Sequence, residues 1–411
     1  MRDRDSQAMV RRAVRIALIG LCIAAGASSA GAQGSAPSQP QMDIYGFVML
    51  DTGIQLKQNH PDWFDTVRPT KLPSFEDEFG KDGHWFFGVR QTRFGVKSSV
   101  PTSDFGPLMT TFEFELFGTG VDAGQTTFRL RHAWGELGQI GAGQTWSVFM
   151  DPDVFPNTIE YWGPNGMVFF RNVQVRWTPI EGDMNLMFAI ERPGASGDAG
   201  VLADRIELQN VKSRFPLPDF SGAYKYSGPR GYVKGAFLLG QMKWDDTLTD
   251  RFDLSGSATR WGINLSSNVK VKKDTLRLQY AFGEGIQNYM NDAPVDIGIK
   301  RNPGNTVTPI LGTALPVQGL VAFYDHTWNE ELTSSAGYSR LDIDNSDGQA
   351  SSAFKDGQYA VFNVLYTPVK DAMVGGEFQW GHRENFSDGF TANDYRIQVS
   401  FKYNFSYRIG G

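Results

Sequence analysis

The chain has 411 residues, a formal net charge of −6 and a single cysteine, Cys22. An acidic chain of this kind is a poor candidate for nucleic-acid binding, which depends on neutralising phosphates with basic residues. One cysteine also excludes an internal disulfide framework and a metal centre built from several thiolates.

The first 32 residues have the features of a secretory signal peptide. Five arginines precede or begin a short apolar run, Ile16–Ala25, which is too short to span a bilayer. Ala30-Gly31-Ala32 is a small-residue cleavage signal. Cleavage there removes Cys22, five Arg and two Asp, so 39 basic residues become 34, 45 acidic residues become 43, and the net charge becomes −9. A retained N-terminal membrane anchor is the alternative.

Residues 33–41 are rich in Gly, Ser and Pro, which predicts a flexible linker. Residues 42–405 then show apolar and polar residues in alternation, the period-two pattern of strands with one apolar face. The pattern is clearest between Tyr395 and Phe405, where every second residue is apolar. Residues 406–411 are expected to form a C-terminal extension beyond the last strand.

The connections between these segments alternate between short and long, and aromatic residues such as Trp177, Trp328 and Tyr366 lie beside short ones. This rhythm is typical of an outer-membrane barrel with tight periplasmic turns and long outer loops, and it argues against a soluble sandwich. The sequence therefore predicts an all-β fold, a transmembrane antiparallel β-barrel of 16 strands, with fourteen or eighteen as alternatives. The predicted strands are 42–51, 86–99, 108–117, 127–137, 139–146, 167–178, 183–192, 217–226, 229–241, 257–269, 273–283, 316–327, 330–341, 355–366, 370–381 and 392–405.

The segment Phe149–Gly166 follows the fifth predicted strand and is too apolar for a solvated surface loop. We expect it to enter the barrel and narrow the lumen. Its carboxylates, Asp151, Asp153 and Glu160, would then oppose arginines of the wall and form a constriction loop. A loop that caps the barrel, or that contacts a second copy of the chain, is the alternative.

Where one face of a strand is apolar, the opposite face should line water. On this rule ten cations and four anions face the lumen, which predicts a potential that attracts anions. The alternative is that these charges only brace the barrel and keep the lumen wet. The predicted channel-lining arginines are Arg93, Arg129, Arg131, Arg176, Arg260, Arg277 and Arg396; the other cations are Lys97, Lys234 and Lys402, and the anions are Glu113, Glu115, Glu191 and Glu377.

A hairpin centred near Asp122 would place Glu115 opposite Arg129 and Glu113 opposite Arg131, while apolar residues meet on the other face. Arg129 and Arg131 should therefore be partly neutralised. Four other channel-lining arginines have no obvious neighbouring carboxylate, which makes them the better predicted anion contacts. They are Arg93, Arg260, Arg277 and Arg396.

Several segments carry a family resemblance. Met42–Val48 looks like the first strand of porins. Arg90–Lys97, Phe128–Gly135 and Gly143–Ser147 resemble the DcaP-type trimeric outer-membrane porin family. The resemblance covers essentially the whole mature chain and implies a sixteen-stranded homotrimer that admits small anionic solutes such as dicarboxylates. Two features depart from the pattern, because residues 33–41 are too short for a helical coiled coil and residues 406–411 continue beyond the aromatic tail.

The predicted function is passive diffusion of small hydrophilic, preferably anionic solutes through the bacterial outer membrane. The predicted partners are its lipid and lipopolysaccharide, the solutes and further copies of the chain, with no nucleic acid, cofactor or metal. A structural or adhesive barrel with a blocked lumen is one alternative, and an outer-membrane enzyme is another. Asp325-His326 is the nearest approach to a catalytic acid–base pair, and Asp342–Gly348 only faintly resembles a calcium loop.

Overall fold

A computed structural model describes residues 39–410. The predicted signal peptide and most of the predicted linker lie outside the described residues. Sixteen antiparallel strands form the wall, which closes because the last strand pairs along its length with the first. Two wall strands are interrupted and consist of two segments each. We count each pair of segments as one strand because both segments pair with the same neighbouring strand.

The strands are β1 (Gln41–Gln55), β2 (His84–Gly88 and Arg93–Val100), β3 (Leu108–Phe117), β4 (Thr126–Leu137), β5 (Ile140–Trp146), β6 (Arg171–Ile180), β7 (Met184–Glu191), β8 (Val211–Arg214 and Asp219–Gly228), β9 (Gly231–Asp246), β10 (Gly256–Val271), β11 (Asp274–Glu284), β12 (Pro316–Thr327), β13 (Leu332–Ile343), β14 (Phe354–Val369), β15 (Ala372–Asn385) and β16 (Thr391–Ile409). Each of the sixteen segments predicted from the sequence overlaps one of them. The predicted fold class is confirmed.

The two faces of the wall follow the alternation in the sequence. On β16, the outward Tyr395, Ile397 and Val399 are 37–49% exposed, whereas the inward Arg396 and Gln398 are fully buried. Outward apolar side chains match a hydrocarbon surrounding, and the closed ladder leaves the wall with no free edge along its length.

The end of the barrel lies beyond the position predicted from the sequence. β16 runs to Ile409, which pairs with Met42, so Phe405 is not the last strand residue. Arg408 also forms an ion pair of 2.6 Å with Asp43 on β1. The expectation that the barrel ends at Phe405 is therefore wrong, because the alternation continues through Tyr407 and Ile409.

Seven short turns join the strands at one end of the barrel, and eight loops join them at the other. The loops are L1 (56–83), L2 (118–125), L3 (147–170), L4 (192–210), L5 (247–255), L6 (285–315), L7 (344–353) and L8 (386–390). L6 contains a hairpin of Ile297–Arg301 with Ile310–Ala314. The helical turns are 3₁₀ and short: Pro61–Trp63, Pro69–Lys71, Gly120–Asp122, Pro152–Val154, Gly200–Leu202, Ile206–Asn210 and Gln287–Tyr289. Within residues 39–410 no helix combines the length and the apolar character needed to cross a membrane.

Three loops fold inward and build a hydrophobic core inside the barrel. Val67 of L1, Phe149 and Val154 of L3, and Tyr289 of L6 are at most 1% exposed and belong to one cluster. Sixteen strands enclose more space than wall side chains can fill, so loop residues occupy part of it. The open interior is consequently smaller than the wall alone would leave it.

The β3–β4 register is the predicted one at Glu115 and Phe114 and shifts on both sides of them. Glu115 pairs with Arg129 and Phe114 with Leu130, but toward L2 Phe117 pairs with Thr126 rather than Thr127, and further in a β-bulge places Glu113 opposite His132 rather than Arg131. Because a bulge adds one residue to one strand, Arg131 and His132 both reach the lumen side. The shift is visible only in the paired strands, since the alternation of β4 gives no sign of it.

The pairing of Ser406–Ile409 with Met42–Tyr45 predicts that the final residues are required for closure. Deleting residues 406–411 leaves this part of β1 without one of its two neighbours, an arrangement that hydrocarbon does not tolerate. We expect a lower yield of folded, heat-modifiable barrel on SDS gels. Deleting only Gly410 and Gly411, which removes no strand residue, serves as the control; equal yields from both deletions would contradict the prediction.

Candidate functional site

L3 crosses the interior of the barrel. At its start, Asn264 of β10 donates to the Phe149 carbonyl over 2.8 Å and Lys234 of β9 donates to the Met150 carbonyl over 2.5 Å. Near its tip, the amides of Ile159 and Glu160 donate to the Glu377 carboxylate of β15 over 2.9 and 3.0 Å. The loop is thus held at both sides of the barrel, in the position that the sequence predicts.

Buried carboxylates hold this loop in place. Glu377 also accepts from Asn363 and Gln379, so its two oxygens have four donors. At the other end of L3, Glu191 accepts from the Ser147 hydroxyl over 2.8 Å and from the Val148 amide over 3.3 Å. A carboxylate can accept several hydrogen bonds at once, which suits it to satisfying loop amides that have no strand partner.

The three carboxylates of L3 do not form the expected constriction. Asp151 is 1% exposed and accepts from Tyr232 and Ser266 over 2.8 and 2.5 Å. Glu160 is 2% exposed and accepts from the amides of Val67 and Gly163. Both carboxylates therefore brace the loop rather than face the lumen.

Burial raises the pKa of Glu160 to about 7, against the opposing effect of the Arg396 guanidinium. Asp153 is the exception among the three carboxylates, since its side chain is 54% exposed and forms an ion pair of 2.5 Å with Lys225. The expectation that three acidic side chains oppose the wall arginines is wrong. The sequence does not show that the carboxylates of Asp151 and Glu160 accept hydrogen bonds from other parts of the fold.

Arginines surround the two glutamates of β3. Arg131 lies 2.6 Å from both Glu113 and Glu115, and its side chain is 5% exposed. Arg93 contacts the same two glutamates at 3.7 and 3.5 Å and is 26% exposed. Arg129 lies 3.6 Å from Glu115 and is 29% exposed. Arg131 is therefore neutralised, whereas Arg93 and Arg129 are loosely paired and accessible.

A fourth member of this group was not predicted from the sequence. Arg171, the first residue of β6, lies 3.7 Å from Glu115 with a 6% exposed side chain. Its Nη1 has no hydrogen-bond partner among the described residues. Four guanidinium groups around two carboxylates give this arginine cluster a net formal charge of +2. Arg171 could not be predicted because it follows the irregular end of L3, where alternation does not show whether a residue faces the lumen or the outside of the wall.

Three arginines predicted to be free are paired or buried. Arg260 is fully buried and lies 2.6 Å from Asp219, at the start of β8. Arg277 lies 2.5 Å from Asp325 of β12. Arg396 is fully buried and donates to the Asp65 carbonyl. Their partners come from other strands and from L1, which hairpin registers in the sequence cannot reveal, so the prediction that these three are anion contacts is wrong.

Three of the predicted lumen cations remain accessible without a carboxylate: Lys97, Arg176 and Lys402. Lys97 is exposed, and its Nζ lies 4.9 Å from the Tyr45 ring centroid. Arg176 is half-buried, donates to Gln174 and the Trp146 carbonyl, and lies 5.1 Å from the Trp134 ring centroid. The Lys402 Nζ lies 4.2 Å from the Phe47 ring centroid. In the described part of the chain, none of the three has a carboxylate oxygen within 4.0 Å.

A cavity of about 290 Å³ lies between L3 and the wall formed by β14–β16, β1, β2, β4 and β5. Arg93, Arg131 and Lys402 line one side of it, and Phe155, Thr158 and Ile159 of L3 line the other. The cavity beside L3 is thus one-sided in accessible charge, because cations face it from the wall, while Glu160, the acidic residue that L3 contributes to its lining, is only 2% exposed.

The residues considered for catalysis do not form a site. Asp325 points inward, where it contacts Arg277 and accepts from Ser335 over 2.7 Å. His326, the next residue, contacts Asp274 at 2.9 Å and packs against Trp328. Neighbouring residues of one strand point to opposite faces, which keeps the two apart. Among residues 39–410 no group of three His, Cys, Asp or Glu side chains could hold a metal ion.

Comparison with known proteins gives a family. The DcaP outer membrane protein family matches residues 86–405, more than three quarters of the chain. The chain belongs to the DcaP outer membrane protein family. This membership and the barrel fold place it in the bacterial outer membrane. A search of curated proteins finds no match.

Solved structures share the fold of this DcaP-family protein. The outer membrane channel DcaP of Acinetobacter baumannii superimposes with a TM-score of 0.71 at 21% identity, covering 92% of this chain and 100% of that one. An anion-selective porin from Comamonas acidovorans gives 0.55 at 11% identity, covering 89% and 100%. The trimer form of OmpT from Vibrio cholerae gives 0.53 at 12% identity, covering 90% and 100%.

The four hydrogen bonds of Glu377 predict that it fixes the tip of L3. In Glu377→Gln, an amide group replaces one acceptor oxygen; each oxygen accepts from one L3 amide and one side-chain amide, so two buried donors lose their partner at a cost of about 1–3 kcal/mol each. We expect the Ile159 and Glu160 amides to exchange roughly tenfold faster or more, measured by hydrogen–deuterium exchange. Glu384→Gln, on the same strand but 41% exposed, is the matched control. Unchanged exchange in Glu377→Gln would show that other contacts hold the tip.

Proposed function

We propose that this protein is a passive channel for small hydrophilic, preferably anionic solutes. The observation that carries the proposal is the cavity beside L3, where Arg93 and Lys402 are accessible and the nearby carboxylates are buried or paired, with Arg129 accessible on the other side of Glu115 from Arg93's strand. Family membership supports a channel, and the Comamonas porin named above shows that this fold can be anion-selective.

Geometry supplies a mechanism for anion preference. A narrow passage with low-dielectric walls preserves more of each charge's field than open water does, so accessible cations raise the local concentration of anions. Arg93 and Arg129 lie on different strands beside Glu115, and Lys402 lies on a third strand. A solute can therefore exchange one weak contact for the next, which passage requires.

Dicarboxylate-like anions are the solute class that we propose on the basis of the family resemblance. The net charge of +2 on the arginine cluster is complementary to a compact dianion. The excess of acidic residues in the whole chain does not oppose this, because several of the acidic side chains, among them Asp151, Glu160, Glu191 and Glu377, are buried in hydrogen bonds.

A closed structural or adhesive barrel is the second candidate, and one observation favours it. Arg68 of L1 is 2.8 Å from Asp292 of L6 and packs against the rings of Trp63 and Trp162, with its Cζ 4.0 and 3.9 Å from their centroids. These contacts tie L1, L3 and L6 together across the interior. Measurable single-channel conductance separates the candidates, since a blocked barrel would conduct no ions.

The accessible cations predict anion selectivity in planar bilayers. In a dilute potassium chloride gradient, the reversal potential should have the sign for chloride preference and should fall in Arg93→Gln and Lys402→Gln. A charge 4 Å from an ion contributes about 1 kcal/mol in water, so each change should lower the chloride-to-potassium permeability ratio by up to about fivefold. The effect should shrink as salt rises, because screening shortens the range of the field.

Lys355→Gln is the control for that measurement, because Lys355 pairs with Glu384 at the outer end of β14, away from the cavity. It should leave the reversal potential unchanged. A potential of cation-selective sign in the unmodified protein would refute the proposed selectivity.

We also propose a homotrimer embedded in outer-membrane lipid and lipopolysaccharide. Support comes from the family resemblance and from the trimer form of the similarly folded OmpT. Outward apolar side chains such as Phe128 and Val233, 74% and 62% exposed, need lipid or a neighbouring copy. Native mass measurement and chemical crosslinking in mild detergent should show three copies, and a monomer alone under both conditions would overturn the proposal.

A further inference from the structure

The inner wall beside L3 places apolar and cationic side chains next to one another. On β16, Lys402 pairs across the sheet with Met49 of β1 and Met373 of β15. On β2, Arg93 pairs with Phe47 of β1. Paired residues share a face of the sheet, so the register places each cation beside an apolar neighbour within the lumen.

Packing against L3 explains only some of these apolar residues. Met49, Leu365 and Ile159 are 2–6% exposed and form a small core between L3 and the wall. Phe47 and Met373 are only partly buried and line the same cavity. Such positions in a water-filled barrel are expected to be polar, so the exposure of these two side chains needs another reason.

L3 and its flanking segment add apolar groups on the opposite side. Phe155 and Phe169 lie with their ring centroids 5.6 Å apart, line the cavity, and are both only partly buried. Trp146 packs against Phe169 at 5.2 Å and continues this surface. A solute in the passage therefore meets aromatic surface across from the cations.

Two cations lie beside the same aromatic ring. The Lys402 Nζ and the Arg93 Cζ lie 4.2 and 5.2 Å from the Phe47 ring centroid. The Arg93 side chain is 26% exposed. An anionic group near Phe47 is therefore attracted by both cations, while the rest of the solute lies against Phe155 and Met373.

We infer that this passage favours organic anions with an apolar body, such as aryl carboxylates and sulfonates, over compact anions of the same charge. The inference rests on the proposed anion channel and adds the apolar part of the solute as a second determinant. Burial of apolar surface is non-directional and adds to the charge contact. Binding sites orient amphipathic ligands by combining apolar surface with a few charged or polar groups.

The test compares two permanently charged monoanions, benzenesulfonate and methanesulfonate, neither of which crosses lipid as a neutral acid. The full mature protein is placed in a planar bilayer, and reversal potentials against chloride give the permeability of each anion. We expect a benzenesulfonate-to-methanesulfonate ratio above the ratio of their free diffusion coefficients. The ratio should fall at least twofold in Phe155→Ser and in Met373→Gln.

Phe105→Ser is the matched control, since Phe105 is 68% exposed in a short turn and does not line the cavity. It should leave the ratio unchanged. Heat-modifiable migration on SDS gels verifies folding, and Met373→Gln decides the outcome if Phe155→Ser does not fold.

The possible results distinguish the inference from the proposed function. An anion-selective protein whose ratio equals or falls below the diffusion ratio overturns the inference and leaves the channel proposal standing. An elevated ratio that Met373→Gln and Phe155→Ser both leave unchanged also overturns it, because the preference then arises elsewhere. Cation selectivity overturns the proposed anion preference, and the absence of conductance overturns the channel proposal itself.

Discussion

The structure depends on one constraint, which is that a chain in hydrocarbon must satisfy its backbone hydrogen bonds by itself. Here the ladder is completed when β16 pairs with β1, from Met42 with Ile409 to Gln55 with Arg396. Closure fixes which residues point inward, because side chains alternate along every strand. The same constraint therefore produces the apolar exterior, the polar interior, and a space that wall side chains alone do not fill.

Loops L1, L3 and L6 occupy that space, and their backbone amides need acceptors away from water. Buried carboxylates supply them: Glu191 and Glu377 on the wall hold L3, and Asp292 of L6 accepts from Thr70 of L1. Acidic residues are thus used in building the interior. This reconciles an acidic chain with an interior cavity whose accessible wall charges are mainly positive.

The cavity differs from a constriction with opposed charges, because L3 faces the cations with aromatic side chains and with a carboxylate, Glu160, that is buried. In the function proposed above, a field from one side would attract anions without holding them between two charged walls, and the apolar surface would contact the uncharged part of a solute.

Much of the fold was predictable because its determinants are local. Alternation in β16 and the rhythm of turns and loops gave sixteen strands, and the composition of Phe149–Gly166 placed L3 inside the barrel. The site was predicted less well. Arg93 and Arg129 face the lumen as predicted and remain accessible, but the prediction that Arg93 has no neighbouring carboxylate is wrong, because it contacts Glu113 and Glu115. Arg260 and Arg396 are buried. Face assignment from alternation tells which side of the wall a residue is on, but not what else occupies that side.

The sequence by itself determined the barrel and its inward and outward faces, because period-two alternation along each segment shows which side of the strand is apolar. It also determined the Glu115–Arg129 pairing, because matching two neighbouring segments places charge opposite charge and apolar opposite apolar. Tertiary structure alone decided which charges stay accessible. The partners of Arg260, Arg277 and Arg396 come from other strands and from L1, and the β-bulge beside Glu113 brings His132 to the lumen. An ion pair depends on distance in space, and in a closed barrel with inward loops the nearest carboxylate is often far away in the chain.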